Sequence, residues 1–271
     1  MAITLILGYI AAVVIGISLG LIGGGGSILT VPILVYLMGI PPVYATAYSL
    51  FIVGLTSLVG SSVYYRKGLV DLKTAIIFGL PAIAGVYATR RFLIPAIPDE
   101  LFNIGSIAIT RGLLLMLIFA VLMIFASMSM IRNKKPKPAK LTADGKRHFN
   151  YPAILAEGAI VGTLTGLVGA GGGFLIIPAL VLFSGLEMKM AVGTSLLIIA
   201  AKSLLGFMGD VGNPELTIDW QLLGIFSTLA VLGSFVGIKL SDKVSADSLK
   251  KGFGWFVLAM GVYIMAKELF F

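Results

Sequence analysis

Two glycine runs set in strongly apolar sequence are the groups best suited to chemistry. Gly23 to Gly26 interrupt one apolar stretch, and Gly169 to Gly173, with Ala170 among them, interrupt another. Clustered glycine is costly in a continuous helix, and inside a bilayer a broken backbone is tolerated only where protein buries it or where it lines a cavity. Each run is therefore expected to join two half-length helices at depth. The segments that follow open near Ser27 and Phe174 and carry Pro32 and Pro178. At about 13 residues, or ~20 Å of helix, they fall short of a full crossing. A helix that starts inside the membrane directs unpaired N–H groups and the positive end of its dipole at whatever lies before it, which is an anion site made from backbone. The expected ligating positions are Gly24, Gly25, Gly26 and Ser27 in the first run and Gly171, Gly172, Gly173 and Phe174 in the second. Close packing of helices through small residues is the competing explanation of the same glycines. A nucleotide-binding loop is excluded, because neither run ends in Gly-Lys-Ser or Gly-Lys-Thr.

Hydroxyls and one lysine complete the set. Ser49, Thr194 and Ser195 lie in apolar spans and can donate to anionic oxygens; the alternative is that each bonds a carbonyl one turn back. Lys202 sits inside Leu196–Leu205, where a charge costs several kcal/mol unless paired or wet. It reads either as the cationic partner of a bound anion or as a side chain reaching back to the outer interface. Glu157 is the acidic oddity, suited to a proton relay, to pairing with a basic group, or to the cytoplasmic interface. Asp71 and Asp219 stand at helix starts and read as N-caps. No catalytic residue, metal site or cofactor is expected. The chain has no cysteine, and its one histidine, His148, lies in the most polar stretch, so neither thiolate metal sites nor a serine–histidine pair fits.

The elements that must position these groups follow from composition. Of 271 residues, 58% are hydrophobic and only 12% charged, about half the charged share of a soluble domain, and mean hydropathy is +1.06. Apolar runs of about 20 residues recur along the chain, the length of a bilayer crossing. The formal charge of +8 sits mostly in short loops, where it reports topology and not nucleic-acid binding. Segments are expected near 3–19, 27–39, 43–65, 72–93 and 107–131, and again near 152–168, 173–186, 189–208, 218–239 and 251–270. Three parts result: a first membrane repeat over 1–131, a basic linker over 132–150, and a second membrane repeat over 151–271. The linker carries Lys134, Lys135, Lys137, Lys140, Lys146 and Arg147.

Residues 20–32, GLIGGGGSILTVP, align with 166–178, GLVGAGGGFLIIP, at an offset of 146 residues. The register continues through Gly39 on Gly185, Ala45 on Ala191 and Ser49 on Ser195, and with a two-residue shift Asp71 meets Asp219. An ungapped match holding Gly, Pro and Ser marks an internal duplication. Each half has an odd number of segments, so the second half should be inverted relative to the first. The expected fold class is thus an all-α polytopic membrane protein of two inverted-topology repeats, each a glycine-broken hairpin plus three transmembrane helices. With the linker in the cytoplasm and both termini outside, about 15 of the 20 Lys and Arg residues fall on the inner side. Arg90, Arg91 and Arg111 are exceptions on the outer side, and the loop holding Asp210 and Glu215 is placed outside.

At the two glycine motifs, with Pro32, Pro178, the Gly193-Thr194-Ser195-Leu196 stretch and Lys202-Ser203, the chain resembles the sulfite exporter family known as TauE/SafE. The resemblance covers nearly the whole chain. It implies a bacterial inner-membrane carrier for sulfite, sulfonates or related organic anions. The first half has Ala47-Tyr48-Ser49 where the second has Gly193-Thr194-Ser195, so the two half-sites are not equivalent. The expectation is a secondary transporter binding a small anion between the glycine breaks within the lipid bilayer, with an anion channel, or a membrane enzyme or assembly factor, as the rival classes. A homodimer and proton coupling stay open.

Overall fold

The computed structural model describes residues 2–104, 107–131, 151–211, 216–241 and 246–270. The basic linker, His148, Glu215 and Lys243 lie outside the described residues. Ten helices follow the ten expected segments: α1 Ala2–Ile22, α2 Gly26–Leu37, α3 Pro42–Arg66, α4 Leu72–Ala96, α5 Arg111–Ile131, α6 Tyr151–Val168, α7 Gly173–Phe183, α8 Met188–Val211, α9 Trp220–Ser241 and α10 Ala246–Phe270. Between α4 and α5 the chain forms a short antiparallel hairpin, β1 Glu100–Ile104 and β2 Ile107–Thr110. The fifth segment therefore becomes helical at Arg111, after 107–110 have paired as a strand. β-branched Ile107, Ile109 and Thr110 suit that role.

Among the described residues, six helices are long and apolar enough to cross a membrane, and α2 and α6 contribute shorter apolar helices of Gly26–Leu37 and Ile154–Val168. Large apolar side chains stand on the outside of the bundle, among them Ile76, Leu80, Phe125, Ile160 and Leu232, each more than half exposed. A water-soluble surface rarely carries so much apolar area; facing lipid it costs nothing. The chain is a multi-pass membrane protein.

Helices α3 and α8 form the centre. About two thirds of each span is buried, 67%, against 33–44% for the other four long spans. They cross antiparallel: Tyr64 meets Gly193, Gly60 meets Leu196, Gly54 meets Leu204 and Leu50 meets Gly206. That register puts Thr56 level with Lys202. Around this pair, α1 packs along α9 and α4 along α6, through small residues that let backbones touch. Gly16 rests on Ala230 and Gly162 on Ala82; Gly233 rests on Val13 and Gly85 on Ala159. A Cβ at any of the four glycines would overlap the facing backbone.

Helix starts obey local chemistry. Asp71 Oδ1 accepts from the Thr74 N–H and Asp219 Oδ1 from the Leu222 N–H, so both act as the N-caps expected of them. The preceding N–H groups are held as well: Asp71 N–H donates to the Thr194 hydroxyl and Asp219 N–H to the Tyr48 hydroxyl. The two glycine runs, expected to be alike, differ. Residues Gly23–Leu29 are wound as a 3-10 helix that overlaps the start of α2, so the N–H groups of its later residues turn back onto the preceding turn. Residues 169–172 are not helical, with Gly169, Gly171 and Gly172 at φ of 68°, 64° and 75°. The first run has one left-handed residue, Gly23 at φ of 72°, at its start; the second has three and no helical turn until α7 begins.

Candidate functional site

The second glycine break is walled by four elements. Gly169 lies against the backbone of Thr46 on α3. Gly171 lies against Val53 of α3 and Ser27 of the first run, and Gly173 against Gly24. Gly172 faces Thr165 of α6 and Lys202 of α8, whose Nζ would stand 3.4 Å from a Cβ placed there. The positive φ at Gly171 and Gly172 is reached at low cost only by glycine, and the approach of Gly24 to Gly173 leaves no room for a side chain on either.

Lys202 has no exposed surface. Its Nζ donates to Thr165 Oγ1 at 2.6 Å, and Thr165 in turn donates to the Val161 carbonyl. Among the described residues no carboxylate pairs with this ammonium. The side chain therefore turns inward to the second break and does not reach for the outer interface. A cation carries three donors, and leaving such a group dry and unpaired costs several kcal/mol. Beside it, the N–H groups of Gly173 and Phe174 begin α7 and have no acceptor earlier in the same helix; the first bonds back are Leu175 and Ile176 to the Gly172 carbonyl. Phe174 itself is buried at 2% exposure.

Ser49 is buried between Thr46 and Val53 on the same face of α3, and its Oγ has no hydrogen-bond partner. Its counterpart Ser195 lies between Val192 and Ile199, which pack on Gly23 and Gly24, and its hydroxyl bonds the Val192 carbonyl. Thr194 is committed to the Asp71 N–H. Seven and eight residues before Lys202, Ser195 and Thr194 stand about 10–12 Å along α8. In the first run, Ser27 Oγ reaches the Gly24 carbonyl at 2.6 Å and also the Ala170 carbonyl. A hydroxyl has one proton, so it bridges the two runs by donating to one carbonyl at a time. Gly25 lies within the 3-10 turn and Gly26 against Ser18 and Leu19 of α1. The structure thus brings Lys202, Gly171–Phe174, Ser49 and Ser27 around the second break; Thr194 and Ser195 belong to the neighbouring contacts.

Three residues around this break escaped the sequence reading. Thr165 gave no signal, since its repeat counterpart is Leu19. Arg90 was visible only as an outer basic residue against the topological trend. Asp210, read as part of an outer loop, is in α8 at 2% exposure. Arg90, on a π-helical turn over Thr89–Leu93 and 1% exposed, places Nη1 3.5 Å from Asp210 Oδ2 and donates from Nη1 to Thr46 Oγ1 at 3.1 Å. Glu157 is half-buried on α6, two turns before Thr165 on the same face.

Comparison with known proteins agrees with this architecture. The family model of the sulfite exporter TauE/SafE matches residues 8–264. A probable membrane transporter protein of Xylella fastidiosa is 28% identical over 93% of this chain and 91% of its own length. The probable membrane transporter protein YunE of Bacillus subtilis is 30% identical, covering 88% of each chain. One from Methanocaldococcus jannaschii is 34% identical over 43% of this chain and 45% of its own. No solved structure matches the chain. The fold, the glycine motifs and these matches place the chain in the sulfite exporter TauE/SafE family of membrane transporters.

Proposed function

We propose that the chain is a secondary carrier that binds a small oxyanion, sulfite, a sulfonate or a related organic anion, at the second glycine break and moves it across the bacterial inner membrane by alternating access. The observation that carries this reading is Lys202: a fully buried ammonium, aimed at a break in the backbone, with a hydroxyl as its hydrogen-bond partner. An anion in that position would receive the Lys202 charge, the Gly173 and Phe174 N–H groups at the start of α7, and the Ser49 hydroxyl, while Thr165, its own proton held by the Val161 carbonyl, keeps Lys202 in place. Charge-assisted bonds of this kind are about twice as strong as neutral ones, and several converging donors replace the hydration shell that a sulfite or sulfonate loses.

Alternating access in this reading uses two inverted repeats, α1–α5 and α6–α10, moving about the crossing of α3 and α8. Supporting it, α3 and α8 run antiparallel, and contacts recur in pairs at the repeat offset: Gly16 on Ala230 with Gly162 on Ala82, and Leu50 on Gly206 with Leu196 on Gly60. Antiparallel crossing of repeat-related helices suits an axis lying in the membrane plane. The basic linker is assigned to the cytoplasm and the termini to the outside by the positive-inside rule. The proposal includes a homodimer and proton coupling through Glu157.

The test is transport in proteoliposomes across sulfite, sulfate, thiosulfate, taurine, sulfoacetate and lactate, with and without a pH gradient. Saturable uptake and counterflow of at least one of these anions are expected. Conductance without counterflow would assign a channel instead, and no movement of any of the six would end the oxyanion reading.

A further inference from the structure

The Lys202 side of the break accounts for one end of it, at Gly172. At the other end, Gly169 lies on the backbone of Thr46, and the Thr46 hydroxyl accepts from Arg90. Arg90 is a second cation with almost no exposure, and its Nε and Nη2 are buried without any acceptor. Among the described residues its ion-pair partner is Asp210, which stands 3.5 Å from Nη1 without forming a hydrogen bond, and Asp210 Oδ2 is itself unsatisfied. Buried ion pairs of lasting structural use are normally fully hydrogen-bonded, because partial pairing does not offset desolvation. This pair leaves two donors of a planar fork open. That fork matches the oxygens of a sulfonate, sulfite or carboxylate in bidentate fashion, which a lysine cannot do.

Local structure supports a positioned group. The π-helical turn over Thr89–Leu93 interrupts α4 where Arg90 enters the core, and such turns frequently accompany functional sites. The pair has no repeat counterpart: the matching positions hold Ile238 and Tyr64. Asp210 follows Lys202 by eight residues on α8, about 12 Å along the axis, so the two cations mark opposite ends of one path. We propose that Arg90 is a second anion-coordinating residue, at the Gly169 end of the second glycine break, and that Asp210 competes with the transported anion for its guanidinium. The anion passes between Arg90 and Lys202, and Asp210 keeps the outer group from holding it too tightly. This rests on the carrier reading above and adds a second station to it.

Binding of sulfite and of sulfoacetate to the purified full chain in detergent, measured by titration calorimetry, tests it. Arg90→Gln should weaken binding by about tenfold or more, and Arg90→Lys should not restore it. Asp210→Asn, with Arg90 intact, should tighten binding by about fivefold, while the Arg90→Gln/Asp210→Asn double variant should bind as weakly as Arg90→Gln alone. A merely structural pair predicts the reverse pattern: Asp210→Asn no tighter than the parent, and the neutral double variant restored. Monodisperse elution of each variant shows that it folds; if both Arg90 variants fail to do so, the Asp210→Asn comparison alone decides, tighter binding supporting the proposal and unchanged or weaker binding overturning it. If the parent binds and Arg90→Gln binds equally well, only the Arg90 station falls. If the parent binds neither anion, the oxyanion carrier reading fails and takes this inference with it.

Discussion

The two glycine runs share a register and almost a sequence, GGGGSIL against GAGGGFL, yet they fold differently. The first is wound as a 3-10 helix after one left-handed glycine, Gly23. The second is non-helical, with three glycines in the left-handed region, and α7 begins after it with N–H groups that have no acceptor earlier in that helix. Their surroundings differ in the same sense. Beside the second run stand Lys202 and Thr165, with Ser49 unpartnered. Beside the first, the matching positions hold Thr56, bonded back to the Ile52 carbonyl, Leu19, and Ser195, bonded back to the Val192 carbonyl. In the carrier proposed above, the second run is the anion site and the first its structural counterpart.

That contrast can be broken in order of expected effect. Lys202→Met should lower anion affinity by about a hundredfold, whereas Thr56→Val, its counterpart, should leave affinity within about twofold; equal losses in the two would mean the halves share the site. Gly172→Ala should follow. Its left-handed φ costs about 1–2 kcal/mol for any other residue, and the new Cβ would push on Thr165 beside Lys202, so transport should fall about tenfold in protein that still folds. The counterpart Gly26→Ala overlaps α1 at Leu19; it should reduce thermal stability, with the affinity of the folded fraction preserved.

Thr165→Val removes the hydroxyl that holds Lys202 and should raise the apparent KM for the transported anion by about threefold to tenfold; an unchanged KM would detach Thr165 from the site. The smallest effect distinguishes two serines. Ser49→Ala should weaken binding by about threefold, since its hydroxyl is free to donate, while Ser195→Ala should change binding by less than about 1.5-fold because that hydroxyl is already spent. Paired binding isotherms on the two variants read this difference directly.

Much of the architecture was legible because hydrophobic span and repeat register are local properties. The ten segments, the caps at Asp71 and Asp219, and the depth of Lys202 all follow from composition and spacing. The asymmetry of the runs was not legible. It depends on tertiary contacts such as Ser27 reaching Ala170, and on Thr165, whose repeat counterpart is an unremarkable leucine. Asp210 was misplaced because the Gly212-Asn213-Pro214-Glu215 stretch reads as a loop that begins earlier than α8 ends. The partner that makes Asp210 buried, Arg90, lies 120 residues away in sequence. The β1–β2 hairpin was missed because its isoleucines also suit the start of a membrane helix, and short apolar runs do not separate the two by periodicity.

The most direct measurement of the central claim is a structure of the full chain with selenite or selenate as an anomalous scatterer. The account predicts a selenium peak at the second break, within hydrogen-bond reach of Lys202 Nζ and of the Gly173 and Phe174 N–H groups. A peak in the first run between Gly24 and Ser27, with none beside Lys202, would contradict it.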